Sequence, residues 1–97
     1  MFGCTSGPEA EEQEPVSHVI TIEQMKFTPA ALMVNAGDSV TWINNDIVDH
    51  NVTEEANSLW TSGSLKSGEQ WSTVVNGSAA YLCTLHPVMK GSLTVRE

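Results

Sequence analysis

Short apolar runs, each cut off by a turn signal within a few residues, are the feature that most limits how this chain can fold. Residues 16–23 read Val-Ser-His-Val-Ile-Thr-Ile-Glu, β-branched and partly alternating, as expected of a half-buried strand. Phe27-Thr28-Pro29 breaks that run, and residues 31–35 form a second short strand closed by Ala36-Gly37-Asp38. Residues 39–44 (Ser-Val-Thr-Trp-Ile-Asn) carry the clearest strand pattern, and Asn44-Asn45-Asp46 opens a loop that ends at His50. Further short strands are expected at 51–53, 69–75, 79–84 and 92–96, with Asn76-Gly77 as a hairpin signal. Residues 54–68 are the least regular, with room for one helical turn near 54–60 before Ser, Asn and Gly take over. No segment sustains a helical period and none alternates strand with helix. The expectation is an all-β sandwich or barrel of about seven to eight strands.

A chain of 97 residues has material for one modest core. Residues 1–15 are rich in Gly, Pro and Glu without periodicity and read as a disordered acidic tail, leaving 16–97 as the folded domain. Gly3-Cys4-Thr5-Ser6-Gly7 resembles the stretch that follows a bacterial or archaeal lipoprotein signal, in which the cysteine is lipidated. Cys4 is therefore a candidate anchor to a membrane surface, and the chain a candidate periplasmic or extracytoplasmic protein. The apolar signal segment that goes with such a site is not in the sequence. A single acyl chain holds only marginally, so firm anchoring would call for a second signal. The plainer readings are an incidental cysteine, or a disulfide from Cys4 to Cys83 that spacing alone does not establish.

The net charge is −8, and four of the twelve acids (Glu9, Glu11, Glu12, Glu14) stand in the tail. From Val16 onward eight acids face four bases, leaving −4. That balance argues against a phosphate-backbone binder, which needs clustered Lys and Arg, and no nucleic-acid partner is expected. It suits solubility and either a basic partner or simply a solvated acidic surface with no recognition role. No apolar run approaches the roughly 20 residues that span a bilayer.

The chemistry concentrates in Tyr81-Leu82-Cys83-Thr84-Leu85-His86-Pro87-Val88-Met89-Lys90-Gly91. A strand ends at Cys83, and His86 and Met89 follow at spacings of three and three. A turn this short can bring thiolate, imidazole and thioether to one point, and His50 closes a loop upstream. Alone, each has an ordinary reading: a small buried Cys, a core Met, a loop His. Together they match the His2Cys site with a weak axial Met that binds one copper for electron transfer. They match none of the closed zinc sets Cys4, Cys3His or Cys2His2.

The same segment resembles the ligand loop of the cupredoxins, in particular their amicyanin and plastocyanin branch. The resemblance extends to Met25-Lys26-Phe27-Thr28-Pro29, to residues 34–46 and to His50-Asn51-Val52, in the same order and spacing. It covers nearly all of residues 18–96 and is weakest over 53–66, where Trp60 has no assigned counterpart. It implies a Greek-key sandwich and a type 1 blue-copper site, with Cys83 as thiolate ligand, His50 and His86 completing a trigonal plane, and Met89 on its axis. It further implies that Asn51 and Thr84 join the two ligand loops, and that Pro87, lacking an N–H, stiffens the turn. His86 would emerge through an apolar patch with Pro87, Val88 and Met33, where a redox partner docks. His18 is expected at the surface or in packing, Met25 in the core, and Trp42 buried in its strand. Asn51-Val52-Thr53 and Asn76-Gly77-Ser78 match the glycosylation acceptor pattern by chance.

Enzymatic activity is not expected. With two histidines spent on copper, His18 alone cannot build a separate catalytic centre. The chief rival is a copper carrier or store that holds Cu(I) with no electron-transfer role.

Overall fold

A computed structural model describes residues 14–96, so Cys4 and most of the proposed tail lie outside the described part. Eight strands form two four-stranded sheets, and no helix occurs among the described residues. One sheet has the order β2-β1-β4-β6, from β1 (Ser17–Glu23), β2 (Lys26–Thr28), β4 (Asp38–Asn44) and β6 (Gln70–Val75). The other has the order β3-β8-β7-β5, from β3 (Ala31–Asn35), β8 (His86–Arg96), β7 (Ala79–Cys83) and β5 (Thr53–Glu54). Each sheet contains one parallel pair, β1 with β4 and β3 with β8, among antiparallel neighbours.

Alternation decides which face each strand buries. Strand β4 is the clearest case, with Asp38, Val40, Trp42 and Asn44 inward. Ile20 and Ile22 of β1 lie beside them on the same sheet, and Val34 of β3, Tyr81 and Cys83 of β7, and Met89 and Leu93 of β8 face them from the other. Trp42 sits at the centre. Its ring meets Tyr81 edge-on at 5.3 Å and Trp71 at 5.6 Å. Such aromatic pairs add about 0.5–1.5 kcal/mol beyond the area they bury.

Four details depart from the sequence reading. Lys26–Thr28 is a short strand rather than a break, pairing Phe27 with Ile22. Met25 is exposed, not core, because it occupies the β1–β2 turn with φ of 61°. Residues 55–57 make a turn without helix, capped by the Glu54 carboxylate, which accepts N–H bonds from Ala56, Asn57 and Leu59. Asn76-Gly77 does not close a hairpin, since β6 and β7 belong to different sheets. Two strands read as neighbours because they are consecutive, but the core has to close between the sheets there.

The irregular segment still packs tightly. Trp60 stacks on Trp71 at 5.9 Å, and residues 60–65 run antiparallel to 50–54 through bonds such as Ser62 N–H to Val52 O. At the start of β4, buried Asp38 accepts N–H bonds from Val16 and Asn35 and lies 2.9 Å from His18 Nε2. These contacts, the Val16 N–H foremost, hold its carboxyl down at about 2.

Because the folded Asp38 carboxyl titrates below its ordinary range, its stabilisation is complete above about pH 4–5 and fades as the pH falls toward 2. Thermal melts across that window should show a decline that Asp38→Asn flattens. Separately, a Cβ at Gly91 would meet the Tyr81 ring, which lies directly across the β7–β8 ladder. Gly91→Ala should cost about 1–3 kcal/mol in urea denaturation through overpacking.

Candidate metal centre

Both donor-bearing segments meet at one end of the sandwich. Cys83 is the last residue of β7, and its partner across the turn is His86, the first of β8. The ladder then slips: Leu82 pairs with Lys90, so Pro87, Val88 and Met89 have no partner and bulge out of the sheet. This bulge gives the turn its extra reach while both strands stay in register beyond it. Cys83 and Met89 are buried, Pro87 and Val88 are exposed, and His86 is half-buried.

His50 arrives from the other sheet at the end of the 45–49 loop and is fully buried. The Asn44 carboxamide organises that loop, donating to the carbonyls of Val48 and Leu65 and accepting the N–H of Asp46. The His50 backbone is pinned by a reciprocal pair of bonds with Leu65, at 3.1 and 2.7 Å. The irregular segment thus serves as a strut for a donor residue, a role with no signature in its composition.

His50 Nδ1 lies 3.8 Å from Cys83 Sγ. Bonds of the length zinc makes, about 2.3 Å to sulfur and about 2.0–2.1 Å to nitrogen, place two donors of one ion roughly 3.8 Å apart at an angle of about 120°. This pair therefore fits a shared first-row metal. The His86 ring stands 5.2 Å from the His50 ring, centroid to centroid. Among the described residues no group of three or more His, Cys, Asp and Glu side chains is already arranged to hold a metal ion. The donors stand as adjoining pairs rather than as a closed cage.

Asn51 lies between the segments. Its N–H points at Cys83 Sγ at 3.4 Å, its side-chain amide donates to Thr84 Oγ1 at 2.8 Å, and its carbonyl accepts the Thr84 N–H at 3.0 Å. Thr53 Oγ1 donates to the same carbonyl oxygen. Cys83 is free among the described residues.

Asp46 was not singled out in the sequence. Its Oδ2 lies 2.8 Å from His50 Nε2, and its carboxylate also accepts the N–H groups of Gln24 and Met25. Burial works against its charge, but the Met25 N–H, the His50 ring and the Gln24 N–H outweigh that and hold its carboxyl below the ordinary range. Four residues before a histidine is a meaningful spacing on a helix, and nothing in a loop signals that the chain will curl back. Met33 also differs from its expected place. It pairs with Thr94, well along β8 from His86, and is not part of the apolar rim. The exposed apolar residues of the donor segments are Ile47, Val48, Leu85 and Val88, Ile47 and Val88 each 91% exposed.

An all-β sandwich carrying His, Cys, His and Met on its two end segments has the fold and donor chemistry of a cupredoxin. The family model for copper binding proteins of the plastocyanin/azurin family matches residues 15–96, and the chain belongs to that family. Copper is its cofactor. Amicyanin-alpha of Methylorubrum extorquens is 33% identical over 94 residues, covering 90% of this chain and 79% of that one. Among solved structures, the Cu(I) form of an amicyanin variant superposes with a TM-score of 0.77 at 33% identity, covering 90% of this chain and 89% of the other. A purple cupredoxin from Nitrosopumilus maritimus superposes at 0.75 and 29% identity, covering 81% and 99%.

Asn51→Ala should leave the Thr84 N–H without its acceptor and remove the donor to Thr84 Oγ1. We expect a loss of about 1–3 kcal/mol in urea denaturation.

Proposed function

We propose that the chain is a one-electron carrier, with one type 1 copper per chain bound by Cys83, His50, His86 and Met89 and cycling between Cu(I) and Cu(II). The observation that carries this reading is the buried His50 Nδ1 facing the buried Cys83 Sγ across 3.8 Å. Copper, when bound, supplies the one-electron couple. The chain's own residues do the rest. The sandwich limits how far Cys83 and His50 can relax, since one ends a paired strand and the other is bonded to Leu65 on both backbone groups. Little rearrangement then accompanies each change of oxidation state. Cys83 is fully buried within the core cluster, which keeps water from its sulfur. Asn51 places its N–H at Sγ, where it withdraws charge from the thiolate and joins the two donor segments.

His86 is the electron's way out, half-exposed among Leu85, Pro87 and Val88, with Ile47 and Val48 on the neighbouring loop. A redox partner with an apolar docking face, and basic groups to suit the acidic body, fits this end. The only remaining histidine, His18, is committed to Asp38 at the start of β4, which leaves no second centre for catalysis. Periplasmic or extracytoplasmic residence, with Cys4 as a lipid anchor, completes the proposal.

The test is a visible spectrum during Cu(II) addition, with Cys83→Ser alongside. The expected result is an intense blue band that saturates at one copper per chain, bleaches on reduction and is absent in the variant. Absence of the band from the wild type, together with tight Cu(I) binding, would make the chain a copper carrier instead.

A further inference from the structure

We propose that the free edge of β6 pairs with the β6 edge of a second copy of this chain, joining two sandwiches into a reversible two-fold dimer. β6 ends its sheet, with β4 on one side and no strand on the other among the described residues. The Ser39 N–H donates to Val16 O and the Asn44 N–H to Glu69 O, so along β4 the odd residues bond toward β1 and the even ones toward β6. In the β4–β6 register Val40 meets Thr73 and Trp42 meets Trp71. The backbone groups of Trp71 and Thr73 are therefore spent on β4, and those of Gln70, Ser72 and Val74 point out of the sheet. An outward row of this kind is a template for another strand.

The other sheet edges are blunted, and β6 is not. Strand β2 has three residues and carries Lys26, and β5 has only two. On β3 the Asn35 N–H is already taken by Asp38. β6 runs for six residues, Gln-Trp-Ser-Thr-Val-Val, in unbroken register and with no charge and no proline. Val74, on its outer face, is exposed.

The composition of this edge selects a copy of itself. An antiparallel pair centred on Ser72 sets Ser72 against Ser72 of the second copy and Gln70 against its Val74. Each outward residue then exchanges both of its backbone bonds with the residue opposite. In the same register Trp71 stands opposite Thr73 of the second copy, beside the cleft of about 190 Å³ that Trp60, Thr73, Val75 and Leu93 line. Glu69 falls opposite Val75, so no charge meets its like. In a chain of net charge −8, an uncharged edge is where two copies meet with least repulsion, while a charged peptide strand finds nothing here to pair with. Six residues at about 3.4 Å each extend only about 20 Å. Such a contact is small for an obligate interface, so the association is reversible and depends on concentration. The two strands run in opposite directions, which sends the two donor ends apart and leaves His86 clear on each copy. Nothing in this pairing depends on copper.

The experiment is sedimentation velocity on the full chain from about 10 µM to about 1 mM, under reducing conditions so that Cys4 cannot link copies. Wild type should shift reversibly toward twice the mass of one chain. S72K and S72E each oppose a charge to itself across the two-fold and should raise the dissociation constant by roughly tenfold or more. An equal mixture of the two should associate again. Ser72 is exposed and its hydroxyl meets Thr41 Oγ1 at the surface, so both variants should fold. V74P removes an outward N–H without breaking a bond to β4 and should weaken the dimer as well. M33K, on the β3 edge, should leave it unchanged. In wild type, amide exchange at Gln70, Ser72 and Val74 should slow as concentration rises. A wild type that stays a single chain throughout, a dimer that S72K leaves intact, a mixture that fails to associate, or a dimer lost in M33K would each overturn the proposal. Should the charged variants fail to fold, V74P and the exchange pattern of wild type decide it.

Discussion

The junction made by Asn51 is the interaction on which the rest of this end of the molecule depends. Residues 33 apart in sequence, one after the 45–49 loop and the other on the β7–β8 turn, are joined by its side-chain amide donating to Thr84 and its carbonyl accepting from it. Its backbone N–H meets the Cys83 sulfur. A buried carboxamide has to satisfy its donors and its acceptor together, and few arrangements do so. That demand converts a loose approach of two segments into one geometry. Asn44 does the same for the 45–49 loop, and together the two asparagines determine where His50 and Cys83 can stand.

The sandwich contributes a frame rather than the site itself. Strands β7 and β8 pair regularly from Leu82 and Lys90 onward, and the departure from that pairing, at residues 87–89, is where Met89 lies. A bulge on a well-paired hairpin keeps a short turn from being a mobile one, because the strands behind it cannot slip without exposing Tyr81 and Leu93. The 60–65 segment works in the same sense from the other side. It is irregular in composition, yet its bonds to 50–54 and the stacking of Trp60 on Trp71 tie it to the core.

Two aspartates each meet a histidine, with different results. Asp38 lies at the start of β4 and gathers Val16, His18 and Asn35, so its charge secures the entry of the first strand. Asp46 gathers Gln24, Met25 and His50, so its charge lies behind the ring of a donor residue of the candidate metal centre. The chemistry of the pair is the same. What differs is the far side of the imidazole, which for His50 faces a sulfur.

The all-β class, residues 31–35 of β3, the body of β4 and the approximate limits of β1, β6 and β7 were legible in the sequence, because strand alternation and turn residues are local properties. The family resemblance was legible too, carried by Cys83, His86 and Met89 at fixed spacing on one short segment. Which strands become neighbours was not, as Asn76-Gly77 shows: a turn signal reports a change of direction and cannot say in which sheet the next strand lies. Met25 in the core and Met33 at the rim failed for a related reason, since residue type does not reveal a left-handed turn or a position along a parallel ladder. The sequence by itself determined the period of each strand and the supply of soft donors. The tertiary structure alone decided that Asp46 would reach His50, that residues 60–65 would brace it and that Nδ1 would face Cys83. Those contacts join residues far apart along the chain or across an irregular loop, and only packing and the need to satisfy buried polar groups can select them.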